Sequence, residues 1–183
     1  MINFDKLDKN KTYVCLEYGV GKISKIIQKY SKEYCYDMEV PSHVFALVYD
    51  NRVKDWLIYE SHMQGNKVGM LPSGVRKYYR VILEKVLPHV ILHSDVYQLT
   101  LDTNQLEKLI GKPYGVGDIF ALMNASKHHS NGKQKNRIGY ICSEYIASAF
   151  PCICYHFNLP PHCITPSHFL RFVLDKDIEK IEP

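Results

Sequence analysis

Two neighbouring segments, residues 40–49 and 56–62, constrain the fold of this chain more than any other feature. Both are rich in β-branched and aromatic residues, and a polar stretch, residues 50–55, separates them. Such segments are typical of β-strands, and the short polar connection between them predicts an antiparallel hairpin. Because a shift of one residue in the pairing moves every side chain to the other face, the register decides which polar side chains of the hairpin meet.

Each strand of this hairpin carries one titratable side chain of interest, His43 on the first and Glu60 on the second. If Tyr49 pairs with Trp56, the histidine and the glutamate are diagonal neighbours on one face, and a shift of two residues places them directly opposite each other. A shift of one residue separates them. Two of these three registers therefore let Glu60 orient the His43 imidazole, and His62 is the alternative. Taken alone, each residue is more often a packing or solvated side chain.

A candidate nucleophile follows much later, in the run of residues 140–150, where Cys142 falls on the first turn of a short, largely apolar helix. The N-terminus of a helix offers unpaired N–H groups and a partial positive charge, and both favour a thiolate over a thiol. A cysteine among apolar residues is nevertheless usually a small buried hydrophobe. Cys142, His43 and Glu60 together supply what acyl transfer through a thioester requires: a thiolate, an imidazole base and a carboxylate that fixes the tautomer of the base.

Five short segments of the chain resemble the circularly permuted branch of the NlpC-type papain-like cysteine peptidases, the YiiX-like family. Within about residues 23–172, the segments are Ser42-His43-Val44, Tyr59-Glu60-Ser61, Gly111-Lys112-Pro113-Tyr114-Gly115, Tyr140-Ile141-Cys142-Ser143-Glu144 and Ile164-Thr165-Pro166-Ser167. The resemblance implies an α+β, papain-like fold with a permuted chain order. In this fold an antiparallel sheet packs against helices, one of which carries the nucleophilic cysteine.

The resemblance also implies a role for each site residue. In unpermuted relatives the histidine follows the cysteine, whereas in this chain the order is His43, Glu60, Cys142, as the permutation implies. Their family roles are base, orienting acid and nucleophile. Tyr114 matches the family position that approaches the nucleophile, where its hydroxyl can add a donor to the oxyanion. A packing role for this tyrosine is an equal alternative.

The residue before the cysteine departs from the family pattern. Unpermuted peptidoglycan peptidases of this type carry an aspartate there, where a carboxylate suits the free amine of a muropeptide stem, and this chain has Ile141. An apolar side chain suits an acyl chain or an uncharged amide better than an ammonium group. Ile141, Ser143 and Tyr114 are therefore predicted to contact a small acylated, peptide or lipid-like substrate.

These observations predict a cysteine-dependent amidase or peptidase that forms a thioester acyl-enzyme on an amide or ester. The substrate class remains open between N-acylated, lipid-like and cell-wall-derived molecules. Two alternatives remain: a lipid acyltransferase that uses the same site, and a non-catalytic binding or structural module that retains the fold. No cofactor is expected.

Composition agrees with one domain over residues 1–183, because a chain of this length is large enough to bury a core of its own. The net charge of +4 is mild and gives no nucleic-acid footprint. The longest apolar runs are far shorter than the ~20 residues needed to span a bilayer, and the first residues lack a signal-peptide core. We therefore expect a cytoplasmic protein with no integral membrane segment.

The six cysteines are expected to be reduced thiols, since no secretory signal accompanies them. A zinc site formed by Cys152, Cys154 and His156, with His162 and Cys163 following, is disfavoured because Cys-x-Cys is not the usual knuckle spacing. We interpret the first three as alternate positions of a strand that share one face. The adjacent His128 and His129 are interpreted as solvated loop residues, so no metal is predicted.

The remaining elements follow from periodicity and from capping residues. Asp102 is predicted to cap one helix and Gly111 to end it, while Thr165 caps a last helix whose first residue is Pro166. Pro151 is predicted to stop the helix that begins at Cys142. Strands are predicted at 12–18, 78–83 and 96–101, helices at 22–34, 103–110 and 118–124, and a loop at 126–136.

Overall fold

The computed structural model describes residues 1–31, 38–63, 71–115 and 139–182 of the chain. Within these ranges the fold is α+β, with helices packed against a five-stranded sheet. In chain order the strands are β1 (Thr12–Glu17), β2 (His43–Asp50), β3 (Asp55–His62), β4 (Gly74–Tyr79) and β5 (Ser94–Gln98). Across the sheet their order is β4-β3-β2-β1-β5, and every neighbouring pair is antiparallel. The predicted α+β class and antiparallel sheet are confirmed.

The helices of the described ranges are short. They are α1 (Lys22–Ser31), α2 (Arg80–Val86), α3 (Pro88–Leu92), α4 (Thr103–Lys108), α5 (Cys142–Ser148), α6 (Pro151–Phe157) and α7 (Pro166–Asp175). Single 3₁₀ turns form at Phe4–Lys6 and Pro161–Cys163. Among these helices none is both long enough and apolar enough to cross a membrane.

The central hairpin forms in the first of the predicted registers. Tyr49 lies opposite Trp56, and their rings pack edge to face with 5.3 Å between centroids. The turn is closed by the backbone N–H of Lys54, which donates to the carbonyl of Asp50 at 2.7 Å. Lys54 adopts a left-handed φ of 60°, which lets the chain reverse within four residues. This register makes His43 and Glu60 diagonal neighbours.

Both faces of the sheet are buried around β2, which explains why its sequence is a nearly continuous apolar run. The core on one face joins β2 to helices α5 and α7, and its members include Val44, Ala46, Tyr145, Ile146 and Phe169. The core on the other face joins β2 to β3 and α2, and its members include Phe45, Leu47, Trp56, Ile58 and Leu83. The first core presses α5 against β2 and β3 and so fixes the position of the helix that carries the cysteine.

Several predicted helix boundaries are confirmed. Asp102 caps α4, because its carboxylate accepts hydrogen bonds from the backbone N–H groups two and three residues further on, at 3.0 and 3.1 Å. Gly111 follows α4 with a φ of 84°. Pro166 is the first residue of α7, and Thr165 precedes it in extended conformation at the N-cap position.

Residues 80–83, predicted as the end of a strand, are instead the start of α2. β4 lies earlier than predicted and ends at Tyr79. Arg80 and Glu84 pair one turn apart at 3.4 Å, and Leu83 is buried while Val81 is exposed. The β-branched residues of this segment suggested a strand, but the helical spacing of its buried and paired residues determines the structure.

The strand interpretation of residues 152–156 is also wrong. Pro151 ends α5 as predicted, but it is also the first residue of α6, a position where its missing N–H is not needed. On this helix Cys152 is exposed while Cys154 is half-buried, so Cys152, Cys154 and His156 do not share one face.

Some predictions lie outside the described residues. These are the helix at 118–124, the loop at 126–136 with His128 and His129, and the part of the helix at 22–34 that follows residue 31.

Candidate active site

Three elements bring the predicted catalytic side chains together. His43 is the first residue of β2, Glu60 lies near the end of β3, and Cys142 is the first residue of α5. Because β2 pairs with β3 and α5 packs against both strands, the three side chains meet where β2 and α5 begin. They are close in space although α5 is far from the hairpin in sequence.

The His43 ring lies between the other two side chains. Its Nε2 is 2.9 Å from Oε2 of Glu60, and Cys142 is close enough to act on the ring electrostatically. Since Nε2 faces the glutamate, Nδ1 is the ring nitrogen left for the cysteine. The side chains of His43 and Glu60 are only 11% and 4% exposed, so this contact is shielded from water.

The second oxygen of Glu60 is held by two residues of β4 that sequence analysis did not select. Arg76 donates from Nε and Nη2 to Oε1 at 2.8 and 2.6 Å, and the hydroxyl of Tyr78 donates to the same oxygen at 2.9 Å. The remaining Nη1 of Arg76 donates to the carbonyl of Pro72 at 2.7 Å. Each oxygen of the Glu60 carboxylate therefore has partners of its own.

The sequence contained a signal for these residues. Arg76 lies directly opposite Glu60 in the pairing of β3 with β4, and Tyr78 lies two residues further along β4 on the same face. The predicted strand at 78–83 included Tyr78 only at its edge and left out Arg76. A strand placed at residues 74–79 would have selected both.

The charges of the cluster alternate in sign. Burial alone raises the pKa of Glu60, but hydrogen bonding and charge from His43, with the charges of Arg76 and His62, bring that pKa far below its ordinary value. Burial alone lowers the pKa of His43, but the charge and hydrogen bond of Cys142, followed by those of Glu60, raise it well above its ordinary value. Both directions favour the charged forms of His43 and Glu60.

Two aromatic rings pack against the imidazole. The ring of His62 meets His43 edge to face at 5.4 Å between centroids, and the ring of Phe45 stacks on it at 6.1 Å. Glu60 therefore makes the hydrogen bond that orients the base, whereas His62 contacts the ring and adds to the charge around Glu60.

The segment that leads into α5 is joined to residues 111–115. Tyr140 forms a parallel bridge with Tyr114, and its N–H donates to the carbonyl of Pro113 at 3.0 Å. The hydroxyl of Ser61, next to Glu60 on β3, donates to the carbonyl of Tyr140 at 2.6 Å. A Cβ on Gly139 would lie 2.7 Å from the carbonyl oxygen of Pro113, so only glycine allows this close approach.

Tyr114 thus lies beside Tyr140, two residues before the start of α5. It is half-buried, and its pKa is raised first by burial and then by the charges of Cys142 and Glu60. Tyr114 is therefore close enough to Cys142 and Glu60 for their charges to act on its hydroxyl. Contact of that hydroxyl with a substrate remains a prediction.

The two neighbours of Cys142 have different surroundings. Ile141 is buried and precedes α5 in extended conformation, which leaves its side chain at the helix entrance. Ser143 is fully buried, and its hydroxyl donates to the carbonyl of Ile164 at 2.6 Å. The Ser143 side chain therefore fixes α5 to the turn before α7, and we do not assign its hydroxyl to the substrate.

The other described cysteines are free thiols with surroundings unlike those of Cys142. Cys15 is fully buried and its pKa is raised well above the ordinary value by burial, and burial also raises the pKa of Cys154. Cys152 is exposed on α6 and Cys163 is half-buried. Within the described ranges no three or more histidine, cysteine or acidic side chains are grouped so as to hold a metal ion.

No protein-family model and no curated protein sequence matches this chain. Its function is therefore inferred from the arrangement of Cys142, His43, Glu60 and the residues that support them.

Proposed function

We propose that this protein is a cysteine-dependent hydrolase of the amidase or peptidase type, with Cys142 as nucleophile, His43 as base and Glu60 as the acid that orients the base. One observation carries the proposal: the His43 ring, with 11% of its side chain exposed, lies 2.9 Å from Glu60 and is also close enough to Cys142 for the cysteine to act on it electrostatically. A nucleophile, a base and a group that orients the base, all within hydrogen-bonding reach, are the features by which such sites are recognised.

In the first half of the reaction Cys142 becomes acylated. His43 takes the thiol proton on Nδ1, and the sulfur attacks the carbonyl carbon of an amide or ester. The tetrahedral intermediate then collapses, the bond to the leaving nitrogen or oxygen breaks, and His43 returns its proton to the leaving group. Glu60 supports these steps because it accepts from Nε2 and so keeps Nδ1 directed at the sulfur.

In the second half water releases the acyl group. Neutral His43 removes a proton from water, the oxygen attacks the thioester carbon, and the carbon–sulfur bond breaks. The carboxylic acid leaves, and the Cys142 thiolate again faces the His43 imidazolium. The raised pKa of His43 favours its charged form between turnovers.

The developing oxyanion needs donors, and two sources lie close to the sulfur. The first N–H groups of α5 have no acceptor within their own helix, since a helix leaves its first four N–H groups unpaired. The hydroxyl of Tyr114 is a second candidate, supported by its electrostatic proximity to Cys142.

We further propose that the fold is papain-like and circularly permuted. The observations that support this are the antiparallel sheet and the helix α5, packed on one face with the cysteine at its first residue. In this chain the strands with His43 and Glu60 precede that helix, which is the order that the permuted family implies.

For the substrate we propose an N-acylated amide, an ester or a lipid-like acyl compound rather than a peptide stem with a free N-terminus. The buried, apolar Ile141 at the entrance of α5 supports this choice. Without a carboxylate there, a free ammonium group lacks a charge-assisted contact of roughly 1.5–3 kcal/mol, or about tenfold to a hundredfold in binding.

The proposal is tested with two matched substrate sets, one N-acylated and one with a free N-terminus, each offered with water alone and with an added alcohol acceptor. We expect release that depends on Cys142 and is faster for the acylated set. The Cys142→Ala variant is the blank, and Cys152→Ala, which removes an exposed thiol, is the matched control.

The outcomes separate the alternatives. Transfer to the alcohol in preference to water would identify an acyltransferase that uses the same site. Faster release from free-amine stems would contradict the proposed substrate class. Equal rates for the wild type and Cys142→Ala on both sets, together with no labelling of Cys142 by a thiol-reactive acyl probe, would reduce the chain to a non-catalytic module.

A further inference from the structure

We propose that Arg76, assisted by Tyr78, is a positioning residue of this site, which acts through Glu60 to hold the His43 ring in line with Cys142. The inference rests on the proposed function and extends it, because it assigns a task to residues of β4 that do not touch the reacting atoms.

The geometry of the carboxylate supports this assignment. Glu60 is attached to β3 through rotatable bonds, and a hydrogen bond to one oxygen would leave the carboxylate free to turn. Arg76 and Tyr78 place three donors on Oε1 at 2.6 to 2.9 Å, while Oε2 faces Nε2 of His43. Partners on both oxygens fix the torsion of the carboxylate and so the direction of the imidazole.

Arg76 is itself held in place. Its Nη1 donates to the carbonyl of Pro72, and its side chain is 5% exposed. The guanidinium thus connects the carbonyl of Pro72, before β4, with the carboxylate of Glu60 on β3. Such a planar fork cannot be reproduced by lysine, which carries the same charge as a single ammonium group.

The contact between Arg76 and Glu60 is not needed to pair β3 with β4. β3 and β4 are registered over six residue pairs, from Leu57 opposite Tyr79 to His62 opposite Gly74. Glu60 and Arg76 are one of these pairs, and backbone hydrogen bonding maintains the others. The two buried hydrogen bonds from Arg76 to Glu60 are therefore better explained by the role of Glu60 in the site than by the pairing of the strands.

The charge of Arg76 also bears on the titration of the site. The titratable or charged groups around Glu60 come from every element packed there: His43 (β2), His62 (β3), Arg76 and Tyr78 (β4), Cys142 (α5), Tyr114 (residues 111–115) and, facing Tyr78, Glu17 (β1). Removal of Arg76 makes this set more negative. A thiolate then forms less readily, so the pH at which Cys142 becomes reactive rises.

The test compares Arg76→Gln, Arg76→Lys and Tyr78→Phe with the wild type. Arg171→Gln is the control, because the Nε of Arg171 also contacts a carboxylate oxygen, that of Asp175, at the surface. The readouts are kcat/KM against pH on the best substrate and the pH midpoint of Cys142 alkylation by iodoacetamide. The second readout needs no substrate.

We expect Arg76→Gln to lower kcat/KM about tenfold to a hundredfold, as is typical of residues that orient a functional histidine without touching the reacting atoms. We also expect the pH midpoint of Cys142 alkylation to rise. Arg76→Lys keeps the charge, so its midpoint stays near that of the wild type while kcat/KM falls. Tyr78→Phe removes one of the three donors and lowers kcat/KM by up to about tenfold. Arg171→Gln leaves both readouts unchanged.

The inference is overturned if folded Arg76→Gln matches the wild type in both readouts. If that variant does not fold, unchanged kcat/KM in both Arg76→Lys and Tyr78→Phe overturns it equally. Failure of the proposed function has a different signature, namely a wild-type Cys142 that alkylates no faster than a denatured thiol and turns over no substrate.

Discussion

Two clusters in the described part of the chain each join a histidine, a carboxylate and an arginine, but one cluster is buried and the other lies at the surface. In the candidate site, Nε2 of His43 lies 2.9 Å from one oxygen of Glu60, whose other oxygen is bound by Arg76. Between α6 and α7, Nε2 of His156 lies 3.0 Å from one oxygen of Asp175, whose other oxygen is bound by Arg171 at 2.7 Å. The second cluster even has a cysteine, Cys152, one turn before the histidine on α6.

What differs is burial and the position of the thiol. The side chains of Glu60 and Arg76 are 4% and 5% exposed, whereas those of Asp175 and Arg171 are 25% and 43% exposed. In the buried cluster the thiol lies at the first residue of a helix packed on the sheet, close enough to the histidine to raise its pKa. In the surface cluster the cysteine is itself exposed.

A histidine, a carboxylate and an arginine in contact are therefore not sufficient to form a site. At the surface, water screens the same contacts, and such pairs contribute little to stability, although the hydrogen bonds of His156 and Arg171 still lower the pKa of Asp175. In the sheet, the same groups act on one another strongly enough to raise the pKa of His43 and favour its imidazolium form.

The largest expected difference between the clusters is in activity. His43→Gln should lower kcat/KM by about 10³- to 10⁴-fold, because Cys142 loses the group that accepts its proton. His156→Gln should leave kcat/KM unchanged. Equal losses in the two variants, measured on one substrate under the same conditions, would remove the distinction drawn between the clusters.

Stability should separate the two arginines. Arg76→Ala leaves the buried Glu60 carboxylate without the guanidinium that binds its Oε1, which typically costs about 3–5 kcal/mol in the free energy of unfolding. Arg171→Ala breaks an exposed pair and should cost less than about 1 kcal/mol. Denaturant unfolding of both variants measures the difference. Similar losses in the free energy of unfolding would contradict the claim that burial distinguishes the two clusters.

Two tyrosine hydroxyls provide a smaller contrast. If Tyr114 donates to the oxyanion, Tyr114→Phe should lower turnover about 10²-fold without a loss of stability. Tyr155 is exposed on α6 beside His156, so Tyr155→Phe is the matched control and should have no effect. Unchanged turnover in Tyr114→Phe would leave only a packing role for this residue.

The smallest expected effect is on the pH dependence of stability. The pKa of Glu60 is lowered in the folded protein, so its contribution is present above about pH 4.3 and is lost as the pH falls through the folded pKa. The pKa of His43 is raised, so its contribution is present below about pH 6.5 and is lost as the pH rises through the folded pKa. Both groups therefore contribute fully between these limits.

Substitution of His43 checks the alkaline side of this window. The free energy of unfolding should decline above about pH 6.5 by about 1.4 kcal/mol for each unit by which the folded pKa exceeds the unfolded one. His43→Gln should flatten that decline. A decline of the same steepness in the variant would assign it to another group.

The sequence was most informative where contacts are local. The apolar runs of β2 and β3 flank a turn of four residues, so the hairpin could be predicted, and two of its three simplest registers place His43 and Glu60 on one face. The start of α5 at Cys142 could be predicted as well, since an apolar helical segment follows the cysteine directly.

The sequence was least informative where a contact depends on placing one element against another. Arg76 meets Glu60 only because β4 pairs with β3 in one register, and the predicted strand at 78–83 was displaced from that position. Ser143 follows the nucleophile directly, which suggested substrate contact. A helix turns by about 100° per residue, however, and this rotation directs Ser143 into the protein, where its hydroxyl meets the carbonyl of Ile164.

The central claim is that Cys142 attacks acyl groups because His43 and Glu60 activate it, and its most direct test is to locate the acyl-enzyme. The protein is mixed with an activated ester at neutral pH, quenched with acid within seconds and mapped by mass spectrometry. We predict one acyl group, on Cys142, that is released by hydroxylamine and is absent from His43→Gln. Acylation of Cys152, Cys154 or Cys163 with Cys142 unmodified would contradict the account.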